Sequence, residues 1–444
     1  MMTPKEKKAT LCLAGIYAFR MLGLFMILPI FSLYTHQLLY ANATLIGLAL
    51  GIYGLTQALF QLPFAMISDR IGRKPVIVFG LILFVLGSVV AALSHNIYWI
   101  IVGRAIQGAG AVGSTLIALL ADTTEDEHRL KAMSMIGMTI GFSFMVAIIL
   151  GPILDGWFGL SGIFWLTAGL ACLGILMLRM VPTPDKHVLH RDSEPVLSQF
   201  KNILLMPELL RLNFGIFASH AILMSMFVVL PMILVGATGL HENQQWMVYL
   251  PVLIIACAVM MPFVIIAEAK RLIKPIFIGA IFCVTLAQGL FEFFHQNIFG
   301  VALIMCLFFT AFTLLEGILP SLVSKIAPAG NKGTAMGIYS TSQFLGIFCG
   351  GSLGGLIYSD FGAHGLFMFS GFLGLLWLLL AITMKQPPYL SSKILTVGVL
   401  NDTEAAALQL KLLAMPGVKD VMISKDEGIA YLKVDKKELA ADAF

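Results

Sequence analysis

Four ionisable side chains lie inside long apolar segments of this 444-residue chain, namely Arg20, Arg104, His220 and Glu316. Charged groups within a membrane are costly to bury, and they commonly mark ion or substrate pathways. A carboxylate such as Glu316 could take up and release a proton there, because an apolar surrounding disfavours a bare charge. An imidazole such as that of His220 exchanges protons near neutral pH. This set of residues favours proton transfer within a membrane.

Each of these residues also has a purely structural interpretation. Arg104 could bond helix carbonyl groups, and Gln107, one turn further along, would share its face. His220 could be a neutral packing residue with a hydrogen bond, which the sequence pattern slightly favours. Glu316 could form a static ion pair with Arg20. The sequence leaves these alternatives open.

A second charged feature is the loop 68–75, which separates two apolar runs and carries one carboxylate and three cations. Gly72 allows a tight turn that a residue with a β-carbon would resist. A generic hairpin on the cytoplasmic side would also collect cations. Asp122, at the end of a later apolar run, is a candidate partner for the arginines of the loop.

The composition places most of the chain in lipid. Hydrophobic residues make up 59% and charged residues 12% of the sequence, and the mean hydropathy is +0.93. A soluble domain has about a quarter charged residues. All six cysteines fall in apolar segments without metal-ligand or redox spacing, so no metal or cofactor is predicted. Segments long enough to cross a bilayer lie near 10–35, 43–67, 75–93, 97–120, 130–154, 160–180, 209–235, 245–267, 273–293, 297–323, 334–358 and 364–384.

The cations predict the orientation of these twelve spans. The loops near 36–42, 94–96, 155–159, 236–244, 294–296 and 359–363 contain no Lys or Arg. The alternate loops carry many, so the positive-inside rule places those loops and both termini in the cytoplasm.

The two halves of the chain repeat each other. Gly151 and Gly159 return as Gly354 and Gly362 at one common offset. Parallel repeats of six spans suit a transporter whose halves rock about a central site. We predict a six-helix bundle over 1–180, a linker with an interfacial helix over 181–207, a second bundle over 208–385, a linker over 386–392 and a small domain over 393–444.

The last fifty residues read as a separate α+β module. The β-α-β-β-α order resembles ferredoxin-like folds, although the closing strand of that fold is missing. Two cysteines hold metal after the first strand of metal-carrying members, but here 401–403 reads Asn-Asp-Thr, so metal carriage is not predicted. Thr403 could cap the helix, and Gly428 could occupy the hairpin turn. The predicted elements are strand 394–400, helix 404–414, strands 418–424 and 429–434, and a closing helix 436–443.

Three motifs resemble those of the major facilitator superfamily of secondary transporters. The order of residues in 68–75 is that of the loop between helices 2 and 3 in this family. The run 103–110, with Arg104, Gln107 and two glycines after it, matches the family's span-4 motif. Gly151, Pro152 and Gly156 resemble the antiporter motif of the drug:proton families, in which a glycine usually stands at the place of Asp155. Helix packing alone would also explain these glycines.

The resemblance implies roles for the residues named above. Spans 1, 4, 7 and 10 would line a central cavity, and each carries one of the four intramembrane ionisable residues. Arg104 would take part in proton coupling, with Glu316 as the proton acceptor. Asp69 would lock the halves together at the inner side, and Arg73 would order the loop. The resulting predicted sets are a coupling and cavity group of Glu316, Arg104, Arg20, His220 and Gln107, and a conformational latch of Asp69, Arg70, Gly72, Arg73, Lys74 and Asp122.

Over residues 9–385 the chain thus resembles bacterial drug:proton antiporters with twelve spans. The resemblance implies a multi-pass protein of the bacterial inner membrane that exports drug-like molecules or metabolites by alternating access. Its partners would be a small-molecule substrate, protons and the lipid bilayer, without nucleic acid, and its transport unit would be a monomer. No nucleophile constellation or phosphate-binding loop supports an enzyme. Two alternatives remain: uptake of a metabolite, proton-coupled or facilitated, and a membrane sensor that signals through the C-terminal domain.

Overall fold

In the computed structural model, which describes residues 2–183, 197–387, 390–398, 400–424, 428–435 and 438, the chain is helical over most of its length up to Ile382. Two short 3-10 segments, Phe31–His36 and Glu242–Gln244, interrupt the helices at one end of the bundle. The helices are α1 (Pro4–Phe25), α2 (Ala43–Ile71), α3 (Arg73–Ala92), α4 (Ile97–Ala109), α5 (Gly113–Asp122), α6 (Asp126–Leu178), α7 (Leu197–Leu204), α8 (Pro207–Thr238), α9 (Trp246–Ala269), α10 (Ile273–Phe294), α11 (Ile298–Ile326), α12 (Lys332–Ile382) and α13 (Asp402–Leu413).

Ten helical stretches of the described chain are long and apolar enough to cross a membrane, and two of them are long enough to cross it twice. Helix α6 has 53 residues and α12 has 51. A straight helix of that length would measure about 80 Å, against about 30 Å for the hydrocarbon core. Each is divided at one glycine with non-helical geometry, Gly159 (φ 64°, ψ −177°) and Gly362 (φ 65°, ψ −162°). Eight single and two double stretches give the twelve predicted crossings.

The two glycine breaks also confirm the predicted internal repeat. Gly159 and Gly362 adopt nearly the same backbone conformation at corresponding places in the two halves. The preceding glycines correspond as well. A β-carbon on Gly151 would lie 2.3 Å from the carbonyl oxygen of Met26, just after α1, and one on Gly354 would lie 2.9 Å from Ser225 Oγ in α8. In each half, the fifth crossing therefore packs closely on the first.

The halves touch through α2 and α12, and their backbones approach each other closely toward the end of the bundle opposite to the loop 68–74. We call the end that carries this loop the basic end. A β-carbon on Gly47, near the start of α2, would lie 2.3 Å from the carbonyl oxygen of Gly351 in α12. One on Gly351 would lie 2.7 Å from the carbonyl oxygen of Gly47 and 2.8 Å from the nitrogen of Gly51. Only glycine allows two backbones to approach this closely.

Two predicted spans differ in detail from the structure. The span predicted near 97–120 is not one helix: α4 ends at Ala109 and α5 begins at Gly113. Gly110 packs so tightly on α3 that a β-carbon there would lie 2.3 Å from the carbonyl oxygen of Gly80. The first span also ends its regular helix early, at Phe25, shortly before Pro29, whose missing N–H cannot continue a helical ladder.

The C-terminal domain has the predicted order of strands and helix. Its strands are β1 (Ser391–Thr396), β2 (Val418–Ser424) and β3 (Ile429–Val434), in an antiparallel sheet of order β1-β3-β2. The first strand begins three residues earlier than predicted. The expectation that Thr403 caps α13 is wrong, because Asn401 forms the capping box with Glu404. Gly428 precedes β3 with a positive φ of 64°, as a hairpin turn requires. Most of the predicted closing helix 436–443 lies outside the described residues.

We predict that Gly351→Ala lowers the thermal unfolding midpoint of the detergent-solubilised protein. The added carbon would meet backbone atoms of α2, which cannot rotate away, and overpacking of this kind costs about 1–3 kcal/mol. The matched control is Gly279→Ala in α10, where a β-carbon meets nothing within 4 Å. Equal midpoints for the two variants would contradict the close contact of α2 and α12.

Candidate functional site

Arg104 lies in α4 with no exposed surface. Its Nη1 donates to Gln107 Oε1 at 3.0 Å, and Gln107 Nε2 donates in turn to Ser88 Oγ of α3 at 2.7 Å. Its Nε donates to the backbone carbonyl of Ala49 in α2 at 3.3 Å. Arg104 thus ties three helices of the first half together, and it bonds a helix carbonyl as the structural interpretation expects.

Tyr53 of α2 connects Arg104 with Arg20. Arg20 Nη2 donates to the Tyr53 hydroxyl oxygen at 2.8 Å and also donates to Gln57 Oε1. The Arg104 guanidinium lies 5.0 Å from the centroid of the Tyr53 ring, within the range of a cation–π contact. In the described part of the chain, neither arginine forms an ion pair with a carboxylate. The structure therefore brings two buried cations of the first half to one aromatic ring.

Glu316 and His220 meet in the second half. His220 Nδ1 lies 3.7 Å from Glu316 Oε1, and the Glu316 side chain is 32% exposed whereas that of His220 is 6% exposed. Gln343 Nε2 lies 2.8 Å from His220 Nε2. Because an amide nitrogen can only donate, Nε2 of the neutral imidazole accepts, and its proton is on Nδ1, the nitrogen near Glu316. Among the described residues, Glu316 is paired with His220 and not with Arg20.

An aromatic contact between the halves lies beside this pair. The ring centroid of Phe144 in α6 lies 5.0 Å from that of Phe25, the last residue of α1. Phe144 also contacts Phe309 and Phe312 of α11, at 6.4 and 6.2 Å. Phe312 in turn lies 5.7 Å from the His220 ring. The polar groups of the second half therefore border an apolar contact surface shared by both halves.

The loop at the basic end contains a compact charge cluster. Arg73 donates through Nε to Asp122 Oδ2 at 3.1 Å and through Nη1 to Ser68 Oγ at 2.8 Å and to Asp69. The cluster joins α2, α3 and α5 within the first half. Gly72 supplies the turn with a φ of 98°.

The other two residues of the predicted latch lie outside that cluster. Lys74 reaches Thr183 Oγ1 at 3.0 Å, after the end of α6. Arg70 is exposed.

The residues of the antiporter motif provide close packing. Gly151 contacts the turn after α1, and Pro152 follows it inside α6. A β-carbon on Gly156 would lie 2.7 Å from the β-carbon of Asn243, in the loop between α8 and α9 of the other half. Asp155 accepts a 2.6 Å hydrogen bond from the Tyr34 hydroxyl. These contacts agree with the helix-packing interpretation of the motif.

Several polar partners were not identified from the sequence. Tyr53, Gln57 and Gln61 follow one another at four-residue spacing, on one face of α2. Gln61 bonds across the interface to α12: its Nε2 donates to Thr341 Oγ1 at 2.7 Å, and its Oε1 accepts from Ser340 Oγ at 3.2 Å. A stripe of polar residues at this spacing, inside an apolar span, is the signal that could have revealed them. Tyr339 and Gln343 of α12 have the same spacing beside Glu316.

One cluster within the described residues offers the atoms that a metal ion would need, Glu6, Glu125 and His128, with ligand atoms within 4.8 Å of one another. The Glu6 carboxylate already accepts hydrogen bonds from the backbone N–H groups of Thr3 and Glu125, at 2.7 and 2.9 Å. His128 Nδ1 lies 3.2 Å from it. The cluster is explained as a tether between α1 and the loop before α6.

Comparison with known proteins gives consistent matches over nearly the whole chain. The profile of the Major Facilitator Superfamily matches residues 13–351 and 276–415. The profile of the YajR YAM domain matches residues 400–439. The chain is 47% identical over 437 residues to the inner membrane transport protein YajR of Escherichia coli, covering 98% of this chain and 96% of that protein.

More distant proteins support the same fold. An uncharacterized transporter of Buchnera aphidicola from Acyrthosiphon pisum is 35% identical over 350 residues, covering 78% of this chain and 89% of that one. The crystal structure of a bacterial homolog of the human lysosomal transporter Spinster, inward-facing and occupied, superposes with a TM-score of 0.70. It is 14% identical and covers 86% of this chain and 96% of that chain, so the likeness shows the fold.

The charge cluster at the basic end leads to a prediction. Arg73→Gln removes the cation between two carboxylates, and breaking a buried ion pair from one side costs about 3–5 kcal/mol. We expect a clear fall in the thermal unfolding midpoint, partly restored by Arg73→Lys. The control is Arg70→Gln, the same chemical change at an exposed neighbouring position. A loss as large in the control would contradict the assigned contacts.

Proposed function

The chain belongs to the major facilitator superfamily of multi-pass membrane transporters, and from this premise we propose that it is a proton-coupled antiporter that exports small molecules by alternating access. Its relatives are transporters and not enzymes, and the one that is 47% identical is an inner membrane protein. Proton coupling, export and the identity of the substrate class are parts of the proposal.

The proposal of proton coupling depends mainly on the surroundings of Glu316. Its carboxylate is partly exposed, its Oε1 has no hydrogen-bond partner among the described residues, and its pairing group is a histidine that is itself able to take a proton. A carboxylate paired with a permanent cation, such as an arginine, would stay negatively charged through a transport cycle. A carboxylate beside a neutral imidazole has no such counter-charge, so it can alternate between charged and protonated forms as the cavity changes its exposure.

Arg104 and Arg20 support the proposal from the first half. When the two halves move closer together, the two positive charges would stabilise the deprotonated form of Glu316. Glu316 would therefore release its proton as the arginines approach it. We assign Glu316 as the proton acceptor, His220 as its neighbour in proton exchange, and Arg104 with Gln107 as the electrostatic modulator.

The contacts between the halves support alternating access. They include glycine contacts of α2 with α12 and of Gly156 with Asn243, at the end opposite to the basic end. If the positive-inside rule holds, the basic end and both termini face the cytoplasm. The described arrangement is then closed toward the outside. The latch residues Asp69, Arg73 and Asp122 would act in the opposite state, in which the basic end closes.

The C-terminal domain rests on the second half at the basic end. Lys433 Nζ donates to the carbonyl oxygen of Ser324 in α11 at 2.6 Å, and Asp420 accepts from the Ala329 N–H at 2.9 Å. We propose that residues 393–444 form a regulatory or interaction module. We also propose bundles over 1–180 and 208–385, linkers over 181–207 and 386–392, and a monomeric transport unit.

Proton coupling is tested by proton release in inverted vesicles energised by respiration. Addition of a transported compound, from a panel of cationic, neutral, zwitterionic and carboxylate-bearing lipophilic molecules, should release protons with the wild type but not with Glu316→Gln. Glu292→Gln is the matched control, because Glu292 also contacts a histidine, His364, but lies near the C-terminal end of α10 and not in α11. Release by Glu316→Gln at the level of the wild type would exclude Glu316 as the coupling residue.

Removal of the C-terminal domain distinguishes a transporter from a sensor. A protein truncated to residues 1–385 should retain measurable flux of the same compound, because the two bundles contain the cavity and its ionisable groups. Flux is measured alongside the amount of folded protein in the membrane. Loss of all flux at unchanged folded protein would contradict a merely regulatory role for the tail.

A further inference from the structure

Within the fourth crossing, helix α5 begins in the middle of the first half without a capping side chain. Helix α5 has ten residues, and its N-cap residue Val112 makes no side-chain capping bond. The first helical hydrogen bond runs from the Leu116 N–H to Val112 at 2.9 Å. Within the described chain, the N–H groups of Gly113, Ser114 and Thr115 have no acceptor. Free N–H groups inside a membrane are costly and attract negative charge.

Arg20 of α1 is aimed at this helix start. A β-carbon built on Gly113 would lie 3.2 Å from Arg20 Nη1 and 3.0 Å from the Tyr17 hydroxyl oxygen. Arg20 is 2% exposed. Its Nη2 donates to Tyr53 and Gln57, but its Nε and Nη1 have no partner among the described residues, and neither has Thr115 Oγ1. Arg20 Nη1 is therefore a buried donor that lies beside the helix start without a partner among the described residues.

The charge balance points the same way. Arg104 adds a second buried cation at Tyr53, and its Nη2 also lacks a partner within the described residues. Tyrosine and glutamine satisfy hydrogen bonds, but they carry no charge to offset two guanidinium groups. Buried charges are stable only when they are paired and hydrogen-bonded.

We propose that the break between α4 and α5 binds an anionic group, and that this group is a carboxylate of the transported molecule. A guanidinium presents parallel N–H donors that match the two oxygens of a carboxylate, and helix starts inside transporters bind anionic substrate groups in the same manner. The inference rests on the proposed transport function and narrows its substrate class to organic acids and zwitterions.

Binding is tested on the purified full-length protein in detergent, in a chloride-free zwitterionic buffer of low ionic strength without a proton gradient. Benzoate is the carboxylate probe, benzamide its neutral isostere and chloride the inorganic anion. Benzoate should raise the thermal unfolding midpoint saturably, and benzamide should not. The benzoate concentration for half the effect should rise about tenfold or more in Arg20→Gln, because a charge-assisted hydrogen bond is lost.

Two further variants keep the test decisive if Arg20→Gln folds poorly. Gly113→Ala retains Arg20 but fills the space between it and α5, so it should also weaken benzoate binding. Arg179→Gln, the same chemical change at an exposed site, should bind as the wild type does. Benzoate binding in detergent needs no proton gradient, whereas proton release in vesicles does, so a failure of proton coupling and a failure of anion binding are separate results.

Each remaining outcome decides against some part of the proposal. Chloride binding that depends on Arg20, without benzoate binding, would place a resident inorganic anion at the break and overturn the substrate carboxylate. Equal effects of benzoate and benzamide would exclude charge recognition. Benzoate binding that survives in both Arg20→Gln and Gly113→Ala would place the site elsewhere.

Discussion

The low polarity of the bilayer interior governs the arrangement of this protein, because every charge inside it needs a partner, a proton or a counter-ion. The chain meets this need differently in its two halves. Arg20 and Arg104 are gathered around Tyr53 in the first half, and Glu316 lies against His220 in the second half. Opposite signs therefore lie in opposite halves. In the proposed alternating access, movement of the halves would change the electrostatic energy of Arg20, Arg104 and Glu316.

That movement depends on backbone approach at a few glycines. Gly47 and Gly351 let α2 and α12 touch, whereas Gly151 and Gly354 fasten the fifth crossing of each half to its first. The contacts inside a half involve corresponding positions in both repeats, which would let each half move as a unit in the proposed transport cycle. The closest backbone contacts between the halves lie toward the end opposite to the basic end, where the Arg73 cluster holds the first half together.

The sequence predicted the twelve crossings and their repeat because hydropathy and glycine offsets are properties of residues alone. It also predicted the strands of the C-terminal domain, two of them to the residue. It missed the break at Gly110, since a run of small apolar residues looks continuous whether or not its hydrogen bonds are made. It also missed Tyr53 as the partner of two arginines, because that role depends on how three helices pack. The cap is Asn401 and not Thr403 because α13 begins at Asp402, two residues before the predicted start.

We propose that the Glu316 carboxylate binds and releases the coupling proton. Infrared difference spectra of the protein in lipid, between acidic and alkaline buffer, report directly on carboxyl groups that change protonation. We expect a protonated-carboxyl band in the wild type and in Glu292→Gln that is absent from Glu316→Gln. An unchanged band in Glu316→Gln would show that another group titrates and would contradict the assignment.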